Sequence, residues 1–483
     1  MHNKLAFSFP KIELPKVNIP RFQLSEIKVP ALRIGDSVSE IPVIQGGMGV
    51  GISLSGLASA VANEGGIGVI AANAIGMIEP DYFENGIEAN MRALRNEIRK
   101  ARQLTTGIIG VNIMLAINDF QNMLRVAIEE RVDIVFLGAG LPLKGIPVKE
   151  LRDSKVKIVP IVSSARAARL IFSYWQKNYG DVPDGLVVEG PEAGGHLGFK
   201  LDEIHNPDYS LEKIIPQVIE AVIPFKKDFD KAIPVIAAGG IFTGEDIFKF
   251  IELGAAGVQM ASRFVATHEC DADYKFKEAY INCKAEDIVI IVSPVGMPGR
   301  AIKNNFIDEV NSDTPTRIRC PWRCLSSCKA QDARYCISEA LNNARLGNLD
   351  NGYAFAGSNA PRIDRIVHVK DIFTELTHDY LVVVEKNTVS LRNEFEKGLK
   401  KLNGLLDEYK KTVEGGIKSL KLEFDQAVEK GAAAFREEYN HAAARIESIK
   451  AEYSGHVEKV LHLKEQLSRF FDTSSVVVPV IIA

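Results

Sequence analysis

The chain has 483 residues, 46% of them hydrophobic and 25% charged, with 58 Lys and Arg against 62 Asp and Glu for a formal charge of −4. That length exceeds one ordinary core, and the slightly acidic balance excludes the strongly basic surface a nucleic-acid partner demands. Six cysteines in so long a chain make no disulfide framework, and no apolar run reaches the roughly 20 residues of a membrane span.

Met1 is followed by no apolar stretch with a small-residue cleavage site, so no signal peptide is expected and a cytoplasmic location is. Residues 1–40 carry Pro10, Pro15, Pro20 and Pro30 in a basic and apolar alternation. Prolines at that density exclude helix and favour extended backbone. The segment reads as an arm lying on the protein's own surface or docking on a partner.

From residue 41 to 293 short β-branched runs alternate with helical patterns. Strands are expected at 42–45, 67–71, 107–113, 133–137, 157–162, 186–188, 234–237 and 257–260. Eight such units imply a parallel sheet closed into a (β/α)8 TIM barrel. Gly46-Gly-Met-Gly49 lacks the G-x-G-x-x-G spacing that would mark an open dinucleotide-binding sheet.

The sixth strand breaks into Glu189-Gly-Pro-Glu-Ala-Gly-Gly-His196-Leu-Gly198, a loop with four glycines, two carboxylates and one histidine. Loops after barrel strands carry chemistry, and imidazole moves protons near neutral pH, so His196 is the catalytic candidate. Strands seven and eight lead into Gly239-Gly240 and Ala261-Ser262. Loops at that place frequently bind phosphate through backbone N–H groups, and these four residues are the expected cradle.

Residues 294–375 combine turn signals with four cysteines and read as a cap on the barrel mouth. Cys320, Cys324, Cys328 and Cys336 are spaced C-x3-C-x3-C-x7-C. On a helix the first three sulfurs would share a face, and four thiols would suit zinc or a [4Fe–4S] cluster. Buried packing and a redox disulfide are the other readings.

From 376 to 471 proline is absent and a helical pattern takes over. Leu391, Leu402, Val413, Phe424, Phe435, Ile446 and Val457 fall eleven apart, a nearly straight apolar stripe. A helix of this kind needs a surface, and a homo-oligomer, its own barrel, or a lipid or granule interface would supply one. Residues 472–483 form an apolar end too short to span a bilayer.

Pro42-Val-Ile-Gln-Gly-Gly-Met-Gly49, Gly110-Val-Asn112, the His196 loop, Ala237-Ala-Gly-Gly-Ile241 and Val258-Gln-Met-Ala-Ser-Arg263 occur in order over about residues 35–375. Together they resemble the nitronate monooxygenase family of FMN-dependent oxidoreductases, formerly 2-nitropropane dioxygenases. FMN-dependent enoyl-acyl-carrier-protein reductases share nearly all of them. The resemblance implies FMN with Gly46, Gly47 and Met48 against its ring and Asn73 and Asn112 hydrogen-bonded to it. It assigns Gly195, Gly239, Gly240, Gln259, Ala261 and Ser262 to the ribityl phosphate and sets His196 toward the substrate. The implied activity oxidises alkyl nitronates with O2 to a carbonyl compound and nitrite. An NAD(P)H-dependent reductase of enoyl-thioester type, and an assembly or surface scaffold with a vestigial barrel, are the alternatives.

Overall fold

The computed structural model describes residues 28–311, 320, 323–326, 328–329, 333–430 and 462. Residues 29–384 belong to one compact unit. It begins with an antiparallel pair, β1 (Leu32–Ile34) and β2 (Ser37–Ser39). Strands and helices then alternate: β3 (Val43–Gln45), α1 (Ser55–Asn63), β4 (Ile67–Ala71), α2 (Gly86–Leu104), β5 (Ile108–Met114) and α3 (Phe120–Glu129). The pattern continues through β6 (Ile134–Gly138), α4 (Val148–Asp153), β7 (Lys157–Val162), α5 (Ala165–Tyr179) and β8 (Leu186–Glu189). A two-residue strand, β9 (Gly195–His196), interrupts it before α6 (Leu211–Asp228), β10 (Val235–Ala238), α7 (Gly244–Glu252), β11 (Gly257–Met260) and α8 (Ser262–Val265).

Eight strands close into a parallel barrel in the order β3-β4-β5-β6-β7-β8-β10-β11, with β11 pairing back to β3. All eight expected strands are present, with ends moved by at most one residue. Each is buried on both faces, which is why its sequence is a continuous apolar run and not an alternation. Inside the barrel, Ile44, Val69, Phe136, Val159, Val187 and Ile236 fill one cluster. Leu32 and Ile34 of β1 are fully buried in that same cluster, so this end of the Pro-punctuated segment packs on the barrel. Residues 1–27, the greater part of the expected arm, lie outside the described residues.

After the barrel come α9 (Tyr274–Ile281), the hairpin β12 (Ile288–Val292) and β13 (Pro298–Ile302), α10 (Asn305–Asn311) and α11 (Ile337–Arg345). The hairpin straddles the 293/294 boundary drawn from the sequence. Its second strand also pairs antiparallel with β9, joining cap to histidine loop.

The final helix, α12 (Val369–Lys430), starts seven residues before the expected 376. Val369, Ile372, Phe373, Leu376, Tyr380 and Val384 are buried at helical spacing. A Cβ at Gly244 would collide with the backbone of Leu376 and Tyr380, so α7 and α12 touch where only glycine fits. From residue 385 the helix belongs to a second unit and is described here only as helix. The stripe positions Phe435, Ile446 and Val457, and residues 472–483, lie outside the described residues. Among the described residues no helix is long and apolar enough to cross a membrane.

Candidate active site

The residues singled out in the sequence gather at the C-terminal ends of the barrel strands. Gly47 follows β3, and a Cβ there would stand 2.5 Å from the Asn112 Cβ of β5, so that position requires glycine. The Cβ position of Gly46 is 3.4 Å from Gln259 Cγ of β11, and that of Gly49 is 3.4 Å from Asn73 Cβ beyond β4. Met48 packs against the cluster that also holds Phe242, Ala356 and Tyr280, and its N–H donates to Ser53 Oγ at 2.8 Å.

Beside this group lies a cleft walled by the turns after β8, β10 and β11. Gly239 and Gly240, both in the cleft wall, have φ of +93° and +77°, a conformation that favours glycine. Gln259, Ala261 and Ser262 form the next wall, as the sequence suggested. Residues 357–359 of the cap supply a further wall that sequence reasoning missed. Gly357 N–H donates to Ser262 Oγ at 2.9 Å, and Asn359 Nδ2 donates to Gly240 O at 2.7 Å. Gly194 is also part of the cleft wall. Gly195 (φ +81°) belongs to β9, and no atom lies within 4 Å of its Cβ position.

His196, next in β9, is paired with Gly299 of β13. Its Nε2 lies 2.8 Å from Ser293 Oγ, and its ring meets Phe355 edge-on at 5.1 Å. Burial pushes the imidazole down to about 4, so it is neutral at physiological pH. Arg300, itself buried, donates from Nη1 to Pro191 O at 2.5 Å and to Ala193 O at 2.7 Å. It therefore fixes the loop between Glu189 and His196. Neither Ser293 nor Arg300 was visible in the sequence, because each lies about a hundred residues from the loop it serves.

Glu189 ends β8. Val187 points into the barrel, so the alternation of the strand sends Glu189 inward as well, at the mouth. Burial pushes its carboxyl up to about 7. The side chains of Glu189, Asn73, Asn112 and Gln259 make no hydrogen bond among the described residues, although all stand at the mouth. A ring of unused polar groups above an apolar barrel, bordered by positive-φ glycine turns, fits a polar planar ligand with an anionic tail.

The cysteine expectation does not hold. Among the described residues no three His, Cys, Asp or Glu side chains are grouped to hold a metal ion. The helical alignment of Cys320, Cys324 and Cys328 is absent. Leu325 instead bridges Ile117 antiparallel, with Asn118 N–H donating to Cys324 O at 3.0 Å. Cys324 Sγ turns to Ser338 Oγ at 3.6 Å, and burial pushes its thiol up to about 11.

Residues 33–379 match the family model for nitronate monooxygenase. The chain belongs to the nitronate monooxygenase family. A protein of Staphylococcus aureus (strain MSSA476) named as a probable nitronate monooxygenase is 29% identical over 308 residues, 56% of this chain and 78% of that one. FabK from Thermotoga maritima superposes with a TM-score of 0.57 at 29% identity, covering 75% of this chain and 96% of its own. Nitroalkane oxidase from Streptomyces ansochromogenes gives 0.54 over 70% and 95%, and at 22% identity it speaks for the fold alone. Nitronate monooxygenases are FMN-dependent oxidoreductases, and that class holds for this chain.

Proposed function

We propose that this enzyme oxidises alkyl nitronates with O2, giving a carbonyl compound and nitrite, with His196 as base and substrate contact. The observation that carries the reading is a neutral imidazole on a glycine-rich loop, held by Ser293 and Phe355 beside a glycine-walled cleft. FMN, when bound, would accept electrons from the nitronate and deliver them to O2.

The chain's own residues would do the rest. Gly239, Gly240, Ala261 and Ser262 would hold the phosphate, with Gln259 between it and the ring. Gly46, Gly47 and Met48 would give the ring a flat bed, and Asn73 and Asn112 would bond its polar edge. His196 would take the α-proton of a neutral nitroalkane or hydrogen-bond the nitro oxygens of the anion. Its neutrality suits both roles, because one ring nitrogen keeps a lone pair while the other carries a proton.

The test is His196→Asn assayed on a neutral nitroalkane and on its preformed nitronate. General-base removal is expected to lower kcat/KM roughly 100-fold or more on the neutral acid. The loss on the anion should stay under about 10-fold, since one hydrogen bond remains to be lost there. Equal losses would remove the base role. Anaerobic mixing adds a second decision: bleaching of the flavin by NADH or NADPH and not by a nitronate would assign the chain to reductase chemistry.

A further inference from the structure

We propose that Arg362 is the cation that meets the flavin phosphate and so selects FMN over riboflavin; this rests on the FMN reading above. The cleft walled by Gly239 and Gly240 has a charge problem. Its lining contributes two carboxylates, Glu189 and Glu192, and one guanidinium, Arg263. A Cβ on Gly240 would collide with a Glu192 carboxylate oxygen, which shows how near that acid stands to the turn expected to hold a phosphate.

Arg263 is already engaged. Its Nη1 donates to Phe242 O at 2.8 Å and its Nη2 pairs with Glu375 at 2.5 Å. Arg300 is spent on the carbonyls of Pro191 and Ala193. A phosphate near −2 would face two acids with no uncommitted cation among these groups.

Arg362 supplies one. It follows Asn359, the residue bonded to Gly240 O, and its guanidinium carbon stands 4.3 Å from the ring centre of Phe242, two residues past Gly240. Cation–π contact holds a guanidinium in place without consuming its N–H donors. The side chain is exposed, and its guanidinium makes neither an ion pair nor a hydrogen bond among the described residues. A fork of donors held on Phe242, itself a wall of the cleft, would suit a dianion and offer little to a neutral alcohol.

Full-length protein stripped of flavin is titrated with FMN and with riboflavin, following flavin fluorescence, for the wild type and for Arg362→Met and Arg362→Lys. Methionine keeps the apolar contact with Phe242 and deletes the charge. It is expected to weaken FMN binding roughly 10–100-fold, the scale of a lost charged hydrogen bond, and to change riboflavin binding less than about 3-fold. Lysine should recover part of the loss. The riboflavin arm also reports whether the pocket is still folded. Equal weakening of both flavins would make Arg362 a support for Phe242 and overturn the assignment, as would no change with either. Failure of the wild type to bind FMN at all would instead sink the flavin reading itself.

Discussion

Glu189 offers a test that needs neither substrate nor cofactor. Its carboxyl titrates at about 7 against an ordinary value of 4.5, and the cause is desolvation. A folded-state value above the unfolded one means the native protein holds its proton longer. Stability is therefore highest below pH 4.5, falls as pH rises toward 7, and changes no further once both states are ionised. The whole displacement corresponds to about 3.4 kcal/mol at 1.36 kcal/mol per pH unit. Glu189 keeps part of its surface on the open cleft, where water screens the charge, so about half of that is expected. Glu189→Gln removes the titration and keeps the shape. Urea unfolding of flavin-free protein, read from the buried Trp175, should show the wild type losing about 1.5–2 kcal/mol relative to the variant between pH 4.5 and 8. His196 has the opposite sign, its contribution growing as pH rises from 4 to 6.5, but it is common to both proteins and cancels in the difference. Parallel stability curves for the two proteins would refute the desolvated carboxyl.

Two further outcomes follow from the same geometry. With burial holding His196 at about 4, kcat/KM on a neutral nitroalkane should stay flat from pH 7 to about 5 and fall only toward 4; a limb near 6.5 would mean a solvated imidazole. Arg152 donates to Asp184 at 2.6 Å and to Asp181 at 2.7 Å, and Asp184 is buried with Lys231 at 2.8 Å as its other partner. Arg152→Ala should destabilise the barrel by about 2 kcal/mol, the low end for a broken buried pair because Lys231 remains. Denaturant titration at pH 7 checks it, and a change under 0.5 kcal/mol, on the order of an exposed pair, would contradict it.

The barrel was legible because its strands are short apolar runs, several of them β-branched, and most end near a glycine, serine or asparagine. Ile67–Ala71 and Lys157–Val162 match residue for residue. Local pattern carries this much, since burial on both faces leaves a mark on consecutive residues. What it does not carry is contact at long range. The bond between His196 and Ser293 spans 97 positions, and nothing in Ser293-Pro-Val-Gly-Met-Pro beyond a turn signal announces it. Where β9 begins pairing with β13 is again a tertiary matter. The cysteine spacing misled because i, i+4 proximity presumes helix, whereas Leu325 was claimed by an antiparallel bridge to Ile117. Within the Pro-rich beginning, Leu32-Arg-Ile34 carried a two-residue alternation that marked a strand, overshadowed by the prolines before it.

Strand β13 lays Gly299 and Arg300 against His196 and Gly195 from outside the barrel, whereas the glycine turns of the cleft sit at the barrel's own strand ends. The setting of the imidazole therefore depends on two separate stretches of chain, the loop after β8 that carries it and the hairpin that braces it. Substitutions in the 293–298 turn or at Phe355 would therefore act on the imidazole, which Ser293 and Phe355 touch, and not on the turns after β10 and β11.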